Sequence, residues 1–310
     1  MARMLITGGT GSLGHRLVAR ALAAGHTVHA THVSPRPTAR PGTRLGAAAP
    51  ADPIGGQADG TGGEAEWIRL DIRDRDAVRD AIVAASPDAV IHTAAGRDRN
   101  DWPSTADGAA NVAAACGPAV RLVHVSTDAV FSGRAGREYT ERDTPDPIYP
   151  YGAAKAAAET AVRAIAAGAA IVRTSLILGD GNGAHELLTH DLASGRADGV
   201  LFTNEIRKPV HVDDLADALL ELAEDGYAGV LNVAGADAVS RYELGLLVAQ
   251  RDGLDPARLR AATTEGRPGD VRLDITRAAA TLRTRLRGAH EFMLPASNPP
   301  AAAPPEPGRR

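Results

Sequence analysis

Residues 7–14 read Thr-Gly-Gly-Thr-Gly-Ser-Leu-Gly, and their neighbours on both sides restrict what the chain can become. Before them lies a short apolar run, Met4-Leu5-Ile6-Thr7. After them Leu13, Leu17, Val18, Ala21 and Leu22 recur at helical spacing, and Gly25 closes the segment. The next stretch, TVHATHV at 27–33, reads as a second strand, so the opening is a strand–helix–strand unit. In such a unit Gly8 can make the tight turn, Gly11 lets the backbone approach a pyrophosphate, and Gly14 allows the helix to pack on the strand. The helix N-terminus adds unpaired N–H groups and a positive dipole end. Glycine triplets alone are weak evidence in a chain with 33 glycines. At the first strand-to-helix turn they point to dinucleotide binding.

The same alternation continues. WIRLD at 67–71, DAVIHTAA at 88–95, the apolar run at 121–126 and AAIVRTS at 169–175 read as strands. Helices are predicted over 75–85, around Asn111 and from Tyr151 onward. Strands alternating with helices predict an α/β fold with a doubly wound parallel sheet. Residues 34–64 carry Pro, Gly and Ala without any period, and they read as a flexible loop. After 178 the segments shorten. The expected organisation is a dinucleotide-binding domain over 1–178 and a smaller substrate-binding region over 179–294, interleaved with the sheet or grafted on it. The Pro/Ala-rich tail over 295–310 is expected to be disordered.

Bulk properties exclude several classes. Net charge is −4 with no basic patch, which argues against a nucleic-acid partner. No apolar run reaches membrane-spanning length, and the start of the chain lacks a signal-peptide pattern. The one cysteine, Cys116, sits in an Ala-rich segment and reads as a small core residue. A lone cysteine suits a reducing compartment, and a cytoplasmic location is expected. No residues have metal-ligand spacing.

The cofactor form is read from the end of the second strand. A carboxylate there would hold the ribose 2′-hydroxyl of NAD. The chain instead has His32, Ser34 and Arg36, with Arg16 close behind the glycine turn. That favours a 2′-phosphate and hence NADPH, with NADH the alternative. Asp71, followed by Ile72, ends the third strand where a carboxylate can accept from the adenine amino group, or else cap the next helix. Thr93, Ala94 and Ala95 end the fourth strand with small residues that let backbone pack against the cofactor ribose. His92 reads as a strand-end histidine and not as a base.

The fifth strand runs into Ser126-Thr127-Asp128, polar residues at the carboxyl end of an apolar run. Downstream, YPYGAAKAAAE places Tyr151 and Lys155 four apart, on one helix face. An ammonium beside a phenol lowers the phenol pKa, so Tyr151 can give a proton to a carbonyl oxygen as hydride arrives at its carbon. Thr127 supplies a second hydroxyl to polarise that oxygen. In these motifs, with VRTSLILG, RKPVHVDDLADAL and RPGDVRLD, the chain resembles the extended short-chain dehydrogenase/reductases, specifically the dTDP-4-dehydrorhamnose reductase group.

The resemblance implies a Rossmann-type domain with Thr127, Tyr151 and Lys155 as the catalytic set. It makes Gly8, Gly11, Ser12, Leu13 and Gly14 the pyrophosphate cradle, with Tyr151 and Lys155 also touching the cofactor. It puts Asp128 by the sugar, and Arg207 and Arg267 near a nucleotide diphosphate or else on the surface. Two positions depart from the group's pattern. Ala129 stands where a Tyr is usual, and Leu176 where a Trp is usual, so a sugar pocket walled by these positions would lack two rings. The activity implied is reduction of a ketone, the C4 carbonyl of a nucleotide-linked 4-keto-6-deoxysugar. Two alternatives stay open: a sugar-nucleotide epimerase or dehydratase with tightly held NAD, and a cofactor-binding regulatory subunit. The expected partner is a sugar nucleotide, and a homodimer is open.

Overall fold

The computed structural model describes residues 1–33, 64–96, 98, 100–179, 181 and 183–293. The expected tail, and the expected loop save its last residue, lie outside the described residues.

Among the described residues, the strands β1 (Arg3–Thr7), β2 (Thr27–His32), β3 (Glu66–Arg69), β4 (Ala89–His92), β5 (Arg121–Thr127) and β6 (Ala170–Thr174) form one parallel sheet with a seventh, Gly229–Asn232. The spatial order is Gly229–Asn232, β6, β5, β4, β1, β2, β3. The chain order reverses between β1 and β4, so the crevice above their carboxyl ends is where a ligand fits in a doubly wound sheet.

Alternation along the strands sends one set of side chains to each face. On one face Met4, Ile6, Val123 and Val125 pack with Leu17 and Val18 of α1 (Ser12–Ala23) and Leu215, Leu219 and Leu222 of α6 (Val212–Glu224). On the other, Leu5, Val90 and Leu122 pack with helices α2 (Arg75–Ala85), α3 (Gly108–Cys116) and α4 (Pro150–Ile165). Cys116 is buried in this second layer, with its thiol pushed up to about 12 by burial. Local signals set the helix starts. Asp74 caps α2 by accepting from the Asp76 and Ala77 amides at 3.1 and 3.0 Å. Pro150 takes the first position of α4, where no N–H is needed.

Residues beyond β6 contribute to both parts of the molecule. The helix α6 and the strand Gly229–Asn232 return to the sheet. Short strand pairs, Ile177–Leu178 with Val210–His211, Ile206–Arg207 with Val239–Ser240, and Leu201–Phe202 with Ala261–Ala262, build the smaller part. Among the described residues no helix is long and apolar enough to cross a membrane.

Candidate active site

The glycine turn leaves β1 through Gly8, whose φ of 73° is in the left-handed region that favours glycine. A side chain at Gly8 would meet the Ala94 Cα at 2.9 Å, and one at Gly14 would meet the Gly8 carbonyl oxygen at 2.1 Å. The tight turn expected at Gly8 and the close packing expected at Gly14 are therefore present. The N-cap of α1 is Gly11, which supplies no capping side chain, and its first turn holds no acidic residue. An anion such as a pyrophosphate is the natural partner for those amides.

Two cavities meet at this turn, sharing Gly8, Gly11, Thr93 and Ala95. The larger, ≈ 520 Å³, runs over β2 and β3 and is lined by His32, Asp71, Ile72, Thr93, Ala94 and Ala95 among others. The smaller, ≈ 270 Å³, contains Ser12, Leu13 and Gly14 together with Thr127, Tyr151 and Lys155. The described residues expected to hold cofactor and to do chemistry thus border one continuous groove over the switch point. Its glycine floor and uncapped helix end fit a dinucleotide.

Arg36 lies outside the described residues. Arg16 does not serve the cofactor reading: its Nε pairs with Asp213 at 3.1 Å, on the side where α1 meets α6. The larger cavity holds a cation that sequence reasoning passed over, Arg73, two residues after Asp71. Its guanidinium forks onto the Asp71 carboxylate at 3.0 and 2.6 Å and holds that carboxyl below its usual range.

At the other end, β5 delivers Thr127 as its last residue. The Thr127 hydroxyl lies 3.3 Å from Asp128 Oδ1 and accepts from the Ala129 amide at 3.2 Å. The helix α4 reaches this point because Gly152, next to Tyr151, has no side chain. A Cβ there would lie 2.1 Å from the Ala129 carbonyl oxygen. Ala129 thus meets the helix through its backbone. Lys155 is 4% exposed and donates to the Val125 carbonyl at 3.0 Å. Burial pushes its ammonium down to about 8. His92 and His124 stack nearby at 5.2 Å. Burial, with the charge of Lys155, pushes both down, His92 to about 3. A neutral His92, with Nδ1 2.6 Å from the Thr7 hydroxyl, fits the strand-end reading.

The five positions expected around the sugar and its diphosphate divide. Asp128 is buried beside Thr127 and accepts from the Ser175 hydroxyl at 2.7 Å. Arg207 is buried too, and its guanidinium is committed elsewhere. It donates to the carbonyls of Ile206, Gly269 and Pro268 at 2.8, 2.8 and 3.0 Å, and its Nε lies 3.7 Å from Asp128. It clamps the 267–270 loop to the site, in place of the expected surface or diphosphate position. Arg267 pairs with the buried Glu205, which also holds Arg241 at 3.4 Å. Its side chain is 45% exposed, so it keeps access to solvent. Leu176 packs on the cluster of Leu178, Val239 and Leu244. Neither cavity of the groove is lined by Asp128, Ala129, Leu176, Arg207 or Arg267.

Residues 2–288 match the family model described as RmlD substrate binding domain. The chain belongs to that family. Within the curated relatives it is 30% identical over 279 residues to dTDP-4-dehydrorhamnose reductase of Mycolicibacterium smegmatis, covering 86% of this chain and 74% of the relative. It is 28% identical over 241 residues to methionine adenosyltransferase 2 subunit beta of Rattus norvegicus, covering 68% and 70%. Among solved structures, the Bacillus anthracis dTDP-4-dehydrorhamnose reductase in complex with NADP superposes with a TM-score of 0.74 at 21% identity. That match covers 94% of this chain and 97% of the other, and it agrees with the expected Rossmann-type fold.

Proposed function

We propose that this chain is an NADPH-dependent reductase of a sugar-nucleotide ketone, the C4 carbonyl of a dTDP-linked 4-keto-6-deoxysugar. One observation carries the reading: Thr127, Tyr151 and Lys155 border the same cavity as the Gly8–Gly14 turn. The name of the mycobacterial relative supports the substrate. When bound, the nicotinamide supplies hydride. Tyr151 gives its phenolic proton to the carbonyl oxygen, and Thr127 donates a hydrogen bond to the same oxygen. Lys155, fixed on the Val125 carbonyl, stabilises the phenolate and holds the nicotinamide ribose. Gly11, Ser12 and Leu13, at the open end of α1, take the pyrophosphate. Asp128 faces the sugar, and Arg267, the more exposed of the two expected arginines, is the one that reaches a diphosphate.

The test is oxidation of NADPH, followed by nicotinamide absorbance, against a panel of nucleotide-linked ketosugars. Turnover of the dTDP-4-keto-6-deoxysugar is the expected result. Tight NADPH binding with no turnover of any member would instead favour a binding role, which the name of the methionine adenosyltransferase subunit relative suggests.

A further inference from the structure

A buried ion pair ties α4 to the sheet, and the chemistry above makes no use of it. Glu159 follows Lys155 by four residues, on the same helix face. Arg173 of β6 donates to its carboxylate from Nε at 3.0 and 3.2 Å and from a terminal nitrogen at 2.7 Å. Ser126 of β5 donates to it at 2.6 Å. Glu159 is 0% exposed and Arg173 1%, and the guanidinium lies 4.9 Å from the Phe131 ring centre. Such a pair gives little net stability over well-packed apolar residues of the same volume. Its position beside a catalytic lysine is what needs an account.

The groups facing Lys155 come from several elements. Tyr151 and Glu159 share its helix. His124 comes from β5 and His92 from β4, both neutral. Arg173 stands behind Glu159 on β6, and Asp128 lies in the turn after β5. Burial works against the ammonium, and Glu159 works for it.

We propose that Glu159 is a positioning residue for the reaction: through its buried pair with Arg173 it seats α4 against β5 and keeps Lys155 charged. The inference rests on the reductase reading in one respect, that Lys155 holds the nicotinamide ribose and Tyr151 as an ammonium. The geometry gives it a signed consequence. Removing the carboxylate leaves Lys155 near an unpaired guanidinium, whereas removing the guanidinium leaves it near an unpaired carboxylate.

The experiment measures NADPH affinity, by fluorescence of the bound reduced nicotinamide, and kcat across the neutral to alkaline range. In Glu159→Gln the alkaline limb of both should move to lower pH by about one unit or more. In Arg173→Met it should move to higher pH. A pair that serves the fold alone would weaken both variants and leave the limb in place, and that result overturns the proposal. Each single variant leaves one buried charge unpaired and so loses stability. The double variant Glu159→Gln/Arg173→Met carries neither charge. Its limb should move to lower pH, because Glu159 is the charged group that supports the Lys155 ammonium. An unmoved limb in a folded double variant, or an affinity with no alkaline limb in the wild type, overturns the proposal. The affinity arm needs no sugar substrate. A chain that binds NADPH but reduces no ketosugar would therefore refute the reductase reading and leave this inference to be judged by binding.

Discussion

Substituting Gly152 by alanine tests how Tyr151 is brought to Thr127. In a helix interior alanine is ordinarily better than glycine by about 0.5–1 kcal/mol, so propensity alone predicts a gain. The structure predicts the reverse. The new Cβ would stand 2.1 Å from the Ala129 carbonyl oxygen, 3.0 Å from the Ala129 carbonyl carbon and 3.0 Å from Pro147 Cβ. Two of these neighbours are backbone atoms and cannot rotate away, so the first turn of α4 must retreat by about 1 Å. Overpacking of this kind costs about 1–3 kcal/mol, which exceeds the propensity gain. A 1 Å displacement of catalytic groups is also worth about 10²-fold in rate. Thermal denaturation and kcat should therefore both fall in Gly152→Ala. The control is Gly168→Ala, where a Cβ meets nothing within 4 Å; it should leave both unchanged. A Gly152→Ala protein as stable and as active as the wild type would refute the close approach and the positioning argument built on it.

Further outcomes follow from the same contacts. Lys155 is held at about 8 against an ordinary 10.5, so as pH rises from about 8 to about 10.5 the folded chain gives up a proton that the unfolded chain keeps, and stability rises over that window. Lys155→Met should consequently be more stable than wild type at neutral pH, by about 1–3 kcal/mol, while losing activity; denaturant titration at neutral and alkaline pH checks both the sign and the window. Restoring the rings that the family pattern carries should not raise activity, because Leu176→Trp enlarges a side chain already packed on Leu178 and Val239; a lower melting temperature is expected, and a gain in catalytic efficiency for Ala129→Tyr/Leu176→Trp would show that the two positions face the sugar. Calorimetry should show NADPH bound more tightly than NADH, with the preference unchanged in Arg16→Ala, because Arg16 is engaged by Asp213.

The sheet was legible because its strands are apolar runs separated by helical periods, and each expected strand from the first through β6 is present within a few residues. The seventh strand was harder to read. Gly229–Asn232 follows a run of short segments, and only pairing with β6 makes it part of the sheet. The groove was legible for a local reason: the glycine turn and the Tyr151–Lys155 spacing each lie within one element. What escaped were partners far apart in the chain. Arg207 stands in a polar segment and looks exposed, yet its acceptors lie 61 and 62 residues on, at Pro268 and Gly269. Glu159 was visible at helical spacing from Lys155, but its role needed Ser126 and Arg173, 33 residues before and 14 after it. Nothing in the sequence around Gly152 points to the Ala129 carbonyl that stands against it.

The most direct test of the account is a comparison of wild type and Tyr151→Phe with NADPH and the dTDP-4-keto-6-deoxysugar, measuring turnover and NADPH affinity on the same preparations. The substitution keeps the ring and removes the proton. Turnover should fall by about 10²-fold or more, the usual scale for a lost general acid, with NADPH affinity close to that of the wild type. Turnover retained in Tyr151→Phe would contradict the assignment of Tyr151 as the proton donor and, with it, the chemistry proposed for this groove.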